Sequence, residues 1–296
     1  MSRHGIADSY RFYISIGILL LGVSLVATAD DTGRGLLWEI SKLGMAPSYL
    51  FGTIHSEDPE VLALAEPVEH AFSGSNSVVL EVLLDLEAMM YSSTVMLMTD
   101  GRLLSDILDE SLFRQTAAVM QTRGIPELVL ERMKPWAVAT ALAMPVAETG
   151  MVLDMALYQQ ALEDGKQVYG LETIQEQLDV FEGMSMNDQV ALVRDSVEQF
   201  PGIEAMHKTL IDAWKERDLA EMLAINEAAM ETGDQRMAEE FQRRLVTDRN
   251  WRMADRMQPY LKQGKAFVAV GALHLPGEQG LLNLLEQRGY SVRVIY

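Results

Sequence analysis

Apolar and polar positions follow two rhythms along this chain, one near its ends and another through its middle. Near the ends the apolar runs are short and rich in aromatic and β-branched residues, as in residues 36–41, 48–55 and 77–82, which is the pattern of strands. The turn-prone Gly44-Met45-Ala46-Pro47 separates the first two and predicts a hairpin. Asp58-Pro59 supplies an N-cap and a proline at N1, predicting a helix through about Phe72. From Leu86 to Gln242, Ala, Met, Leu, Glu and Gln recur at helical spacing, and Ser185-Met186-Asn187-Asp188 resembles a capping box.

One unit occurs three times: a helical stretch, a glycine stop, then a short apolar strand. The stops are Gly165, Gly264 and Gly289, each where a left-handed residue would end a helix. Strands that short and apolar belong to a sheet covered by helices. The predicted class is therefore α/β: a mixed sheet core built from both chain ends, with a large, mostly helical insertion. The core falls at about 35–85, 165–172 and 248–296, and the insertion at about 86–247.

The first residues have a different character. Arg3 and Arg11 precede the apolar run Phe12 to Val26, which ends in Ala27-Thr28-Ala29 before Asp30 and Asp31. A basic start, a short apolar stretch and an A-x-A site predict a signal peptide over 1–29 and a single domain over 30–296. The protein is then exported, to the periplasm or the medium; left uncleaved, the same segment is a membrane anchor, and the only membrane contact expected. No Cys follows the run, so a lipid-modified N-terminus is not expected. Cleavage leaves 267 residues, enough to bury a core without disulfides, and the chain has no Cys at all.

The formal net charge of −19 repels phosphate backbones, which argues against nucleic acid as a partner and leaves peptides or small molecules. Acidity attracts divalent cations without making a site, since most carboxylates belong on solvated helix faces. The 19 Met suggest adaptable helix packing or an apolar ligand groove. Nothing in the sequence specifies an oligomeric state.

Chemistry concentrates on two of the five His. His4 lies in the leader, and His70 and His207 lie in polar helical stretches, where a surface position is expected. His55 and His274 each close a Gly-x-x-His motif, Gly52–His55 and Gly271–His274, at the end of an apolar strand. Each is followed by a proline and an expected helix start, at Asp58-Pro59 and Pro276-Gly277-Glu278. Ligands of α/β sheets bind at these strand ends. Glycine permits close backbone approach, and imidazole binds metals or moves protons near neutral pH. The two His also fit a plainer role, as turn residues satisfying backbone groups.

Further stretches extend the pattern: Trp38-Glu39-Ile40-Ser41, Tyr49 to His55, Val79-Leu80-Glu81, Lys134-Pro135-Trp136, Leu153-Asp154, Tyr169 to Thr173 with Gln177, Arg249-Asn250, and Gly271 to Gly277. In this order they resemble TraB/GumN-type proteins over essentially the whole mature chain. The resemblance implies kinship with the Tiki proteins, which are membrane-associated metalloproteases, and with a fold group that includes erythromycin esterase and a haem-binding lipoprotein. Such a fold hosts several chemistries, so kinship alone does not choose among them. Carried over, it implies His55 and His274 as metal ligands with Glu81 as acidic partner, either ligand or general base. Arg249 becomes a candidate for stabilising developing charge, Asn250 for orienting a ligand or loop, and Glu172 a supporting residue on the same rim; ion pairing and helix capping are the plain alternatives for Arg249 and Glu172. Gly52 and Gly271 support the site, and Glu278 needs no role beyond the helix dipole.

The cofactor implied is a divalent metal. Nitrogen and oxygen donors admit Zn, Mn, Co or Fe, and the Tiki resemblance favours Mn or Co. The leading expectation is an exported, metal-dependent, protease-like hydrolase. The alternatives are a non-catalytic accessory protein holding a metal, haem or peptide in the same pocket, and an esterase-like enzyme using His55 as a base without metal. No G-x-S-x-G motif or Cys nucleophile is present.

Overall fold

A computed structural model describes residues 33–83, 85–146, 149–230 and 235–296; the expected signal peptide, 1–29, lies outside them. Six strands form one sheet: β1 (Leu37–Ser41), β2 (Ser48–Thr53), β3 (Ser77–Val82), β4 (Gln167–Glu172), β5 (Ala266–Gly271) and β6 (Ser291–Val294). Their order is β4-β3-β5-β2-β1-β6. The hairpin pairs β1 with β2 antiparallel and β6 adds antiparallel to β1, whereas β2, β5, β3 and β4 run parallel. The expected mixed sheet from both chain ends, interrupted by helices, is the observed architecture.

Local chemistry accounts for the elements. β5 reads Ala-Phe-Val-Ala-Val-Gly and is buried through its first five residues, because helices cover both faces of the sheet centre. Phe51 and Phe267 pack at 5.8 Å and Phe72 meets Phe267 edge-on at 5.3 Å, so three segments share one aromatic contact. The three glycine stops have φ of +67°, +75° and +80°. At Gly264 a Cβ would also lie 2.7 Å from the Ala46 carbonyl oxygen, so both conformation and space demand glycine there.

Two helix expectations need correction. The helix after Asp58 is two helices, Pro59–Leu62 and Glu66–Ser73. Pro67 lacks an N–H and would clash with the carbonyl four residues earlier, so the chain extends at Ala63 and Ala65 and restarts. After His274 no helix starts at Pro276; Gly277 adopts φ +89° and the helix begins at Leu281. Ser185 caps its helix as expected, accepting from the Asp188 N–H.

Buried apolar residues form two clusters, one around the sheet and one within the insertion, centred on Trp136, which is fully buried. Trp136 stacks on Phe181 at 5.5 Å and its indole N–H donates to Glu182, which also pairs with Lys134 at 2.8 Å. Only part of the expected insertion packs on this second cluster; Leu153, Leu157, Ile203, Leu210, Trp214 and Met222 from the same stretch pack into the cluster around the sheet. No helix among the described residues is long and apolar enough to cross a membrane.

Candidate functional site

Strand order brings the distant motifs together. β5 lies between β2 and β3, with Thr53 opposite Gly271 and Leu80 opposite Ala269. His55, two residues past β2, and His274, in a 3-10 turn just past β5, therefore leave the same edge of the sheet. Glu81 on β3 joins them there, and Glu172 ends β4, the next strand out.

Close approach demands glycine at the first motif and leaves little room for a side chain at the second. A Cβ on Gly52 would sit 2.8 Å from Leu275 Cδ1 and 3.0 Å from Ala272 Cα. A Cβ on Gly271 would sit 3.3 Å from Glu81 Oε1. Instead the Gly271 N–H donates to that oxygen at 2.6 Å. Glu81 Oε2 accepts from Arg249 Nη2 at 2.7 Å and from Gln177 Nε2 at 3.3 Å. Burial opposes ionisation of Glu81, but the His274 ring, the Arg249 guanidinium and the Gly271 amide outweigh it and hold the carboxyl down to about 2.

His274 is 8% exposed, and burial pushes its pKa down to about 4 despite the neighbouring Glu81. It is neutral at pH 7, so Arg249 and the Gly271 amide are then what keep Glu81 charged. His274 Nδ1 lies 2.6 Å from Asn250 Oδ1, an acceptor, so Nδ1 carries the proton and Nε2 the lone pair. Nε2 stands 3.6 Å from Glu81 Oε1. Asn250, only 1% exposed, also donates from Nδ2 to the Gln279 carbonyl at 2.8 Å, fixing the loop beyond His274.

His55 has a partner that sequence reading did not assign. Asp154, the second residue of the helix Leu153–Glu163, accepts from Thr53 Oγ1 at 2.8 Å. Its Oδ2 lies 3.0 Å from His55 Nδ1. That contact is an ion pair set off the line of a hydrogen bond, since buried Oδ2 has no well-directed donor. Asp154 pushes the His55 pKa up to about 9, with burial opposing. The imidazole keeps 55% of its side-chain surface open, so solvent screens this pairing.

Arg249 bridges two carboxylates, donating to Glu81 and, from Nε at 2.8 Å, to Glu172. Glu172 is wholly buried and is also 3.1 Å from Arg252, while Thr173, not Glu172, caps the following helix. Burial pushes the Glu172 pKa up, against the pull of Arg249. A π turn at Arg243–Thr247 precedes Arg249; it turns Leu245 and Val246 into a cavity of about 300 Å³ above the site. His55, Glu81, Arg249 and His274 line that cavity on one side.

His207 departs from expectation. It is half-buried, lines the same cavity and holds the Ala143 carbonyl through Nε2 at 2.7 Å. Its helix Ile203–Lys215 turns Leu210 and Ile211 the same way, a face the local polarity of the sequence conceals. Glu278, on the loop before the last helix, forms no part of this constellation; its carbonyl accepts from Asn283 of that helix.

The donor set, two imidazoles and a carboxylate on one cavity wall, fits a divalent cation in type. Both imidazoles have Nδ1 against an oxygen, the arrangement that orients metal-binding His; His274 Nε2 carries a lone pair, whereas His55, charged beside Asp154, offers its Nε2 only on giving up a proton to a bound cation. Glu81 adds a carboxylate. Among the described residues no three His, Cys, Asp or Glu side chains are already gathered around one ion position. Glu81 is instead held by Arg249, Gln177 and Gly271.

The model of the TraB/PrgY/gumN family matches residues 36–294. Among curated proteins, the chain is 25% identical to "Metalloprotease TIKI2" of Danio rerio, over 88% of this chain and 60% of that protein. It is 24% identical to "Metalloprotease TIKI2" of Xenopus tropicalis, over 88% and 59%, and 24% identical to "Metalloprotease TIKI1" of Danio rerio, over 90% and 64%. The chain thus spans about 60% of the length of the curated relatives it matches. No solved structure matches it.

Proposed function

The chain belongs to the TraB/PrgY/gumN family, and from that premise we propose that it is an exported, metal-dependent hydrolase that cleaves amide bonds of peptides. The observation that carries this reading is the pair of imidazoles, His55 and His274, each with Nδ1 against an oxygen and both on one cavity wall with ionised Glu81. The distant likeness to proteins named metalloproteases supports the same chemistry.

Hydrolysis adds water across the amide: a C–O bond forms, the C–N bond breaks and the amine leaves with a proton. His55 Nε2 and His274 Nε2 would hold the cation, with the Glu81 carboxylate either as a third ligand or as the general base. A divalent ion in such a site supplies Lewis acidity toward a carbonyl and acidifies water. Glu81 is kept ionised, so its free lone pairs are available to receive a proton from a water in the cavity. Arg249, fixed by Glu172, offers its remaining N–H groups to an oxygen that gains charge. Asn250 and Asp154 hold the rings that the reaction requires in place. Nitrogen and oxygen donors without thiolate admit Mn, Co or Zn. The apolar run 12–26 with Ala27-Thr28-Ala29 supports export.

The test is the metal content of purified protein and its cleavage of a peptide library, each compared with the His55→Ala/His274→Ala double variant. Metal and cleavage present in the wild type and absent from the variant are the expected result; equal metal content sinks the reading. One observation favours a second reading, a non-catalytic accessory protein: Glu81 is already satisfied by three protein donors. That reading requires cellular function to survive Glu81→Gln, whereas a hydrolase loses it.

A further inference from the structure

The cavity is two-sided. The polar side carries His55, Glu81, Arg249 and His274; the opposite wall is built by helices of the insertion and is apolar, with Met144, Phe181, Leu210, Ile211, Met222 and Leu245. About 300 Å³ is roughly twice the ~150 Å³ that suffices for a benzene-sized guest. Space of that kind gains dispersion contacts from a large apolar occupant and gains little from a methyl group.

Two polar side chains interrupt the apolar wall, Thr140, whose hydroxyl donates to the Trp136 carbonyl at 2.7 Å, and His207. His207 Nε2 lies 2.7 Å from the Ala143 carbonyl oxygen, which only accepts, so Nε2 carries the proton. Burial pushes the pKa of His207 down, with the Ala143 bond opposing and Arg123 assisting, so the ring is neutral at pH 7 and Nδ1 bears a lone pair. Among the described residues Nδ1 has no hydrogen-bond partner. The tautomer is locked by Ala143, which also lines the cavity. Arg123 donates to the Ala141 and Leu142 carbonyls at 2.9 and 3.0 Å, fastening the same helix end that His207 grips.

We propose that this apolar wall is the specificity subsite of the enzyme: it takes a large apolar side chain (Phe, Leu or Met) beside the cleaved bond, and His207 Nδ1 accepts a hydrogen bond from a backbone N–H of the same peptide. The inference rests on the hydrolase reading for its substrate. The side chain lies against Phe181 and Leu210 while the scissile carbonyl faces the histidines across the cavity. A neutral acceptor in an apolar wall selects a peptide N–H, because a hydroxyl-free alkyl ester at that position would leave Nδ1 unpaired.

The test uses quenched-fluorescent peptides that differ at one position, on metal-loaded protein, with a second readout free of catalysis. The wild type is expected to cleave Phe, Leu and Met peptides with kcat/KM at least tenfold above Ala, Gly or Asp peptides. Ile211→Trp fills the cavity and should cost the Phe peptide at least tenfold and the Ala peptide less than threefold. His207→Leu should raise KM about tenfold with kcat within threefold, and His207→Gln, which keeps an acceptor, should restore most of it; circular dichroism checks that each variant folds. Separately, N-phenyl-1-naphthylamine fluorescence on the His55→Ala/His274→Ala protein should rise on binding, fall when N-acetyl-phenylalaninamide displaces it, and be absent with Ile211→Trp added. Cleavage indifferent to the apolar residue, or no probe binding, overturns the subsite while leaving the hydrolase standing. Probe binding and displacement without cleavage of any peptide supports the subsite and removes the hydrolase.

Discussion

The Gly271 amide donates to Glu81 Oε1 at 2.6 Å, and a Cβ on Gly271 would lie only 3.3 Å from that oxygen. The carboxylate therefore rests on the one motif residue that has no side chain. A glycine at this position sets the distance between strand β5 and the acid of strand β3.

Gly271→Ala should accordingly displace the Glu81 carboxylate by a few tenths of an ångström and disturb its contact with His274 Nε2. Peptide cleavage is expected to drop about tenfold to a hundredfold, since small misplacements in a reacting site cost that much. Thermal stability should change by only a few degrees. Metal retention and kcat/KM measured alongside the melting curve decide it; a melting point that collapses while kcat/KM per folded molecule is unchanged refutes the positional reading.

Asp154→Asn keeps the bond to Thr53 through its remaining oxygen but removes the charge facing His55 Nδ1. Affinity for the cation should weaken about tenfold to a hundredfold, the usual cost of losing a partner that orients a ligand. Titrating chelator-treated protein with Mn or Co and following the bound ion measures this. An unchanged dissociation constant would make Asp154 a structural residue only.

Arg249 is 7% exposed and neutralises both Glu81 and Glu172, the latter with no side-chain exposure. Arg249→Met should leave two buried carboxylates without their main partner, and destabilise the fold by about 3–5 kcal/mol. Adding Glu172→Gln should return part of that loss, because one uncompensated charge disappears. Urea midpoints of the single and double variants test the coupling, and strict additivity contradicts it.

Asp195, on the helix Met186–Gln199, is pushed up to about 6 by burial, with Glu198 adding to it. The folded value lies above the unfolded value of 3.8, so the folded state holds a proton that the unfolded state has lost. Stability from this group is complete below about pH 4 and is lost as pH rises through 6. Asp195→Asn should therefore stabilise the protein at pH 7.5, on the order of 1–2 kcal/mol after allowance for partial exposure, and leave it unchanged at pH 4. The same gain at both values contradicts the proposed cause.

Much of the frame could be read along the chain. Strand positions follow from short apolar runs, and the stops at Gly165, Gly264 and Gly289 follow from the left-handed conformation that ends a helix. The paired Gly-x-x-His motifs pointed to one end of the sheet for the same local reason: each follows a strand directly. Pro67 is equally visible in the sequence, and it is the residue that breaks the helix after Asp58.

The sequence by itself determined which residues can stand at the strand ends; only the tertiary structure decided what each one faces. Asp154 reaches His55, and Asn250 reaches His274, through strand order and helix placement that no periodicity encodes. His207 shows the limit most plainly: its neighbours in sequence are polar, while its neighbours in space are Ala143 and an apolar cavity wall. Secondary structure is written by neighbours a few residues apart. Side-chain pairing and cavity shape depend on how β5 inserts between β2 and β3 and on where the helical insertion packs over that edge.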